Sequence, residues 1–440
     1  MGSYIPSTAR ERQGMLSAVG ANDLDGLYRD VPASIRLSAG ALDLPDGVSE
    51  LTAAARMRGL AAKNTVYEAI FRGAGAYNHY IPPVVSRIAA KEAFVTAYTP
   101  YQPEISQGVL QSIFEYQTMI AELTGMDVSN ASVYDGAVAA SEAASMCREG
   151  KRTVALVSEG ARGDIIRTMR TYGFGSNTEV VTVPLHDGRT DIAALTALLS
   201  DTAASFLFQY PTRFGVVEDA EALIAVTHAA GAKCVMHCDP TALAALRTPG
   251  ELGADIAVGD GQPLGMPLSF GGPYLGYMTC KKAMMRKLPG RIVGQTTDAA
   301  GARCFVLTLQ AREQHIRREK AASNICSNQA LCALTAAAYL ATMGPTGMQD
   351  CARLCYDKAH YLSSGLAALG FPLRYPDAPF FMEFITETPV DAEALNRALA
   401  SRGILGGLPT DGGILWCATE MNDREQLDAL LACVKEVACK

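Results

Sequence analysis

Between residues 153 and 280, short and nearly continuous apolar runs alternate with stretches of helical character. The runs read VALVS (154–158), EVVTVPL (179–185), ASFLFQYP (204–211), KCVMHCDP (233–240), DIAVGD (255–260) and PYLGYMTC (273–280). Helices fit between them at about 161–172, 190–200, 218–230 and 240–247. Strands that are apolar on both faces need cover on both sides, and alternation with helices supplies it in a mostly parallel sheet. The expected fold class is therefore α/β. Ligands of such sheets bind at the carboxyl ends of the strands.

The flanks divide the chain into three parts. Residues 1–90 are punctuated by Pro, Gly and Ala, with short helical pieces at 8–19, 22–29 and 49–60, and read as an arm that packs on something else. The large α/β domain is assigned to 91–306. It opens with a helix begun by Pro103 and Glu104, whose apolar stripe runs Ile105, Leu110, Ile113, Phe114, Met119, Ile120 and Leu123 and stops at Gly125. Asp135 reads as the N-cap of the next helix. After an irregular GRIVGQTTDAAGARCF, residues 307–440 predict a long helix over about 307–343 and a second over 348–369. A small α+β unit follows, with strands in FPLRY, FFMEFIT and GGILWCAT and helices at 391–402 and 423–437.

Several function classes are excluded by composition. The net charge is −7, and the only basic cluster is REQHIRREK (312–320), so nucleic acid is not an expected partner. No apolar run reaches membrane-spanning length, and the first residues carry neither a secretory nor an organellar signal pattern, so the expected location is the cytoplasm. Twelve cysteines form no C-x-x-C pair; the tightest spacings are Cys234/Cys238 and Cys351/Cys355. Most lie in apolar runs and read as small hydrophobes, so no metal site is expected.

Chemistry-bearing residues fall in five places. From Asp255 the chain runs DIAVGDGQPLGMPLSFGGPYLGY, a strand, a polar loop and a Gly-rich turn, the layout in which large pyridoxal-phosphate (PLP) enzymes carry their Schiff-base lysine. No lysine occurs between Lys233 and Lys281, and Gln262 stands about where one is needed. Asp239, ending the strand VMHCDP, suits either a pyridinium partner or the N-cap of TALAAL. The proline-stiffened loop holding Tyr98, Thr99, Tyr101, Gln102 and Glu104 suits a binding wall or a plain helix lead-in. His79 and Tyr80, in GAGAYNHYIPP, suit packing or a site. In REQHIRREKAASNICSNQ, Arg317 and Lys320 would share one face of a helix, as an anion site or a solvated surface.

Taken together, FRGAGAYNHYIPPVV, FVTAYTPYQPEISQGVLQSIFEYQTMIAELTGMDVSNASVYDGA, LSFGGPYLGY and REQHIRREKAASNICSNQAL resemble the alpha-subunit family of glycine dehydrogenase (decarboxylating), the P-protein of the glycine cleavage system in its two-chain form. The resemblance runs from YIPSTARERQGML to the C-terminus; Ala322 and Ser327 depart from it where threonine is expected. It implies a fold-type-I PLP architecture with a small C-terminal domain and an α2β2 assembly in which the beta chain binds PLP through its own lysine. It also implies decarboxylation of glycine, release of CO2 and transfer of the aminomethyl group to the lipoyl arm of H-protein. Tyr98, Thr99, Tyr101, Gln102 and Glu104, with His79 and Tyr80, would line the tunnel to the beta-chain site, and Asp239 and Gln262 would be remnants of a degenerate cofactor site. Two alternatives stay open: a self-sufficient PLP lyase or transferase using Lys281 or Lys282, and a non-catalytic structural protein of the same fold.

Overall fold

The computed structural model describes residues 7–37 and 42–438, which fall into two units divided between Val66 and Tyr67. The first unit carries two α-helices, Ala9–Ala18 and Glu50–Ala61. The first is fixed by a Thr8–Glu11 capping box and the second by the Ser49 hydroxyl. Among its described residues only Leu16 is buried, while Met15, Ile35, Leu44, Leu51 and Met57 lie open. A segment this short of core has little packing of its own to hold its helices.

The arm ends earlier than the sequence suggested. Residues 67–80 are stitched into the second unit: Ala69–Ile70 pair in parallel with Ile404–Leu405, and Thr419 donates its hydroxyl to the Asn78 carbonyl at 2.7 Å. Pairing of backbone groups so distant in sequence leaves no mark in local composition.

The second unit is built on a seven-stranded sheet. Its strands are β1 (Val128–Ser129), β2 (Val154–Ser158), β3 (Val180–Val183), β4 (Ala203–Tyr210), β5 (Lys233–Cys238), β6 (Ile256–Asp260) and β7 (Gly276–Cys280). Their spatial order is β1-β7-β6-β5-β4-β2-β3. Strands β3, β2, β4, β5 and β6 run parallel, and β7 is antiparallel to both of its neighbours. Every residue of β4 is buried, Ser205 and Gln209 included, as a strand covered on both faces requires. Helices α1 (Gln107–Thr124), α2 (Gly136–Met146), α3 (Gly163–Ser176) and α4 (Ala220–Ala229) accompany the sheet. Gly125 ends α1 in a left-handed cap, and the Asp135 carboxylate accepts from the Val138 N–H at the start of α2.

Two readings of the sequence need correction. Pro103–Ile105 form a single 3-10 turn, and α1 begins only at Gln107, which leaves Ile105 on the surface instead of in the stripe. The stretch after 291 is a hairpin, Ile292–Thr297 against Arg303–Thr308, followed by three separate turns, Gln310–Arg312, Gln314–Arg317 and Arg318–Lys320. Arg318, at φ 53°, breaks the helix that would have set Arg317 and Lys320 on one face. The long helix α5 spans Ala330–Ala368, with a break at Gly344 ahead of Pro345. It leads into a three-stranded antiparallel sheet, Glu383–Thr386, Gly413–Cys417 and Leu408–Thr410, packed with helices Ala392–Ala400 and Arg424–Ala438.

Candidate functional site

Four of the five parallel strands end at Ser158, Tyr210, Cys238 and Asp260, close to the N-terminus of α2, where the Asp260 carboxylate lies. There the Asp260 carboxylate accepts the Gly136 N–H at 3.3 Å and the Gln262 N–H at 3.1 Å. Burial pushes this carboxyl up to about 6, against the opposing pull of Arg162. A side chain at Gly136 would lie 2.8 Å from His237 Nε2 and 2.9 Å from the Asp260 nitrogen, so only glycine lets the helix start so close to the strand tip. His237 itself is held neutral, its pKa driven down to about 3 by burial and by nearby Arg162.

Gln262 is 1% exposed and fully engaged. Its amide oxygen accepts the Tyr77 N–H at 2.8 Å, and its amide nitrogen donates to the carbonyls of Tyr77 at 2.9 Å and Met266 at 2.8 Å. The GAGAY segment is thereby sealed over the strand ends. Tyr77 is buried and donates its hydroxyl to Glu383 at 2.7 Å; Glu383 also accepts the Ala74 N–H. Arg162 donates to the Gly75 carbonyl at 3.2 Å and pairs with Asp164 at 2.9 Å. Gly75 has φ 104°, and a side chain there would fall 2.3 Å from the Arg162 guanidinium. Burial raises Glu383 to about 7 and raises Asp239, whose Oδ1 accepts the Ala242 N–H at 2.9 Å; the helix expected over TALAAL is only a 3-10 turn, Ala242–Ala244, with Thr241 at its cap position.

This edge does not fit a PLP molecule. The lysine position holds an amide with no free donor or acceptor, and Tyr77 fills the space beside Asp239 and Glu383. A carboxylate already occupies the α2 N-terminus, where a phosphate would bind. Lys281 and Lys282 offer no substitute. They follow Cys280, which pairs with Ile256 at the amino end of β6, some four residues or about 13 Å from Asp260 along the strand. Lys281 Nζ is spent on the Gly253 carbonyl at 2.6 Å.

The other candidate residues lie elsewhere. Tyr98 is 90% exposed and, with Thr99, Arg291, Ser327 and Asn328, lines an open pocket of about 270 Å³. Tyr101 accepts a hydrogen bond from Arg291 at 3.0 Å, with the guanidinium 5.2 Å from its ring centre. Gln102 and Glu104 are exposed on the adjoining turn and do not line that pocket; neither do Asp239 and Gln262. Tyr80 is exposed, but the His79 ring is buried, bonded through Nδ1 to Glu420 at 2.7 Å, and has no surface to offer a channel outside this chain. Sequence reasoning missed Tyr77, Arg162, Asp260 and Glu383; the run HCDP marked the right strand tip, but nothing pointed to Glu383, 306 residues beyond Tyr77.

Residues 2–434 match the family model described as glycine cleavage system P-protein. The chain belongs to that family. It is 47% identical over 443 residues to the "Probable glycine dehydrogenase (decarboxylating) subunit 1" of Moorella thermoacetica, covering 99% of each chain. A solved structure titled as glycine decarboxylase (P-protein) of the glycine cleavage system, in inhibitor-bound form, superposes with TM-score 0.94 at 44% identity, covering 99% of this chain and 100% of that one. An alanine–glyoxylate aminotransferase from Nostoc superposes with TM-score 0.59 at 16% identity, covering 92% of this P-protein chain and 100% of that one. The fold is that of the fold-type-I PLP enzymes.

Proposed function

We propose that this P-protein chain acts as subunit 1 of glycine dehydrogenase (decarboxylating), the partner that lacks the PLP lysine. The near-complete overlap with a relative named as that subunit carries the reading. The saturated Gln262 supports it from the chemical side. A second, lysine-bearing chain would bind PLP, completing an α2β2 enzyme in the cytoplasm. PLP supplies the electron sink that lets glycine lose its carboxylate, and the aminomethyl group passes to the lipoyl arm of H-protein.

This chain's own contribution is to bind and to shape. Tyr98, Thr99, Tyr101, Gln102 and Glu104 form the wall facing the partner's site. Two of them present phenols at low entropic cost, and Arg291 fixes Tyr101. Asp239 and Gln262 hold the sealed sheet edge and carry no catalytic step. The apolar residues left open before Val66 belong at the partner interface, so the chain alone should dimerise or precipitate; a well-folded monomer by light scattering would contradict this.

The test is reduction of the co-purified chains with borohydride in the presence of PLP, followed by mass-spectrometric location of the pyridoxyl label. A label on the partner alone, with glycine–bicarbonate exchange requiring both chains, is expected. A label on any lysine of this chain would make it an autonomous PLP enzyme.

A further inference from the structure

The sequence led us to expect no metal site, yet His79, Cys351, Cys355 and Glu420 converge so that their donor atoms lie within 4.8 Å of one another. We propose that these four side chains form a closed structural site for a thiophilic divalent cation of the zinc class. Cys351 and Cys355 stand one turn apart on α5, which puts both thiols on one helix face. His79 arrives from the extended segment before Pro82, and Glu420 from the loop after the strand Gly413–Cys417.

The distances suit a tetrahedral ion. Cys351 Sγ lies 3.9 Å from His79 Nδ1, Cys355 Sγ 3.4 Å from Glu420 Oε2, and His79 Nδ1 2.7 Å from Glu420 Oε2. Zinc bonds of about 2.3 Å to sulfur and about 2.0–2.1 Å to nitrogen and oxygen place tetrahedral ligands about 3.3–3.8 Å apart. Two edges are already near that range. The third is a hydrogen bond that opens by about 0.6 Å when the ion replaces its proton.

Ligand chemistry and surroundings agree with this. Two thiols with an imidazole favour a zinc-class ion over calcium or magnesium, which prefer oxygen. The His79 side chain is 2% exposed and that of Glu420 11%, with both cysteines buried, so no position is left open for substrate and the site is structural. Glu420 is held in place from outside the cluster: the Tyr80 N–H donates to Oε1 at 2.6 Å, leaving Oε2 for the ion. Two thiolates and a carboxylate around a dication leave one negative charge, and Lys358, which donates to the Glu420 carbonyl at 2.5 Å, brings one positive charge. The ion would clamp three segments, with His79 lying 272 residues from Cys351 and 341 from Glu420. It would also anchor the strand-edge seal two residues from Tyr77.

The experiment uses the chain co-purified with its partner subunit, without chelators or metal-affinity resin. Mass-spectrometric metal analysis is followed by chelation and titration with cobalt(II). Expected are zinc at one ion per chain and, with cobalt, thiolate charge-transfer bands with intense tetrahedral ligand-field absorption. Cys351→Ser and Cys355→Ser should weaken cobalt binding at least about 100-fold, beyond the loss typical when a ligand-orienting group is removed. Cys326→Ser, altering an exposed thiol, should not. His79→Gln, which retains a donor for Glu420, separates folding from ligation: it should keep the wild-type circular dichroism spectrum and lose the cobalt bands. The proposal is overturned if native protein shows no cobalt–thiolate band, if the bands survive in the Cys351/Cys355 double variant, or if peptide mapping finds a Cys351–Cys355 disulfide in place of bound metal.

Discussion

The sealed carboxyl edge of the sheet and the loop at 98–104 carry similar residues to opposite ends. At the edge, Tyr77, Gln262 and Glu383 satisfy one another, and the polar side chains close on the chain's own backbone. Along the loop, Tyr98 is almost wholly exposed and Tyr101 is tethered by a single bond to Arg291. A buried polar group must be paired within its own chain, whereas an exposed aromatic gains most by pairing with another molecule. The contrast separates what this chain keeps for its own stability from what it holds out to a partner.

The harshest way to break that contrast is Gln262→Lys. Restoring the missing amine should not create a cofactor site. It buries an unpaired charge among carbonyls and should cost about 3–5 kcal/mol in denaturant unfolding of the assembled enzyme, with no borohydride-trapped pyridoxyl label on this chain. A stable, labelled variant would show the edge to be a suspended cofactor site.

Glu383 gives a pH-dependent test. Its folded pKa, about 7, lies above the ordinary 4.5, so the folded state holds a proton that the unfolded chain has released. Stability is then full below about 4.5 and falls as pH rises through 7, by roughly 3 kcal/mol for this group. Asp239, Asp260, Glu142 and Glu218 are raised by burial as well and add slope in the same direction. Glu383→Gln should flatten part of the slope, read from thermal melts at several pH values; an unchanged slope would assign it to the other four. Tyr77→Phe is milder. It removes one bond from Glu383 and should cost about 1–2 kcal/mol.

On the loop the expectation reverses. Tyr98→Ala should change the stability of the chain by no more than about 0.5 kcal/mol. Glycine–bicarbonate exchange by the two-chain enzyme should nevertheless fall about tenfold, or about 1.4 kcal/mol. Equal effects on both readouts would place Tyr98 in the fold and not in the wall.

Much of this was written locally in the chain. The five parallel strands, the Gly125 stop, the Asp135 cap and the absent lysine all follow from residues a few positions apart, because hydrophobic period and capping chemistry act over one or two turns. The hairpin at 292–308 was missed because its two strands are short and polar at their tips, with no periodic signal to set against the glycines. Tertiary structure alone decided that Gln262 would close on Tyr77, 185 residues away, and that His79 would meet Glu420 and a cysteine pair on α5. Such meetings depend on where whole elements pack, and a contact between distant segments imposes no spacing on the residues in between.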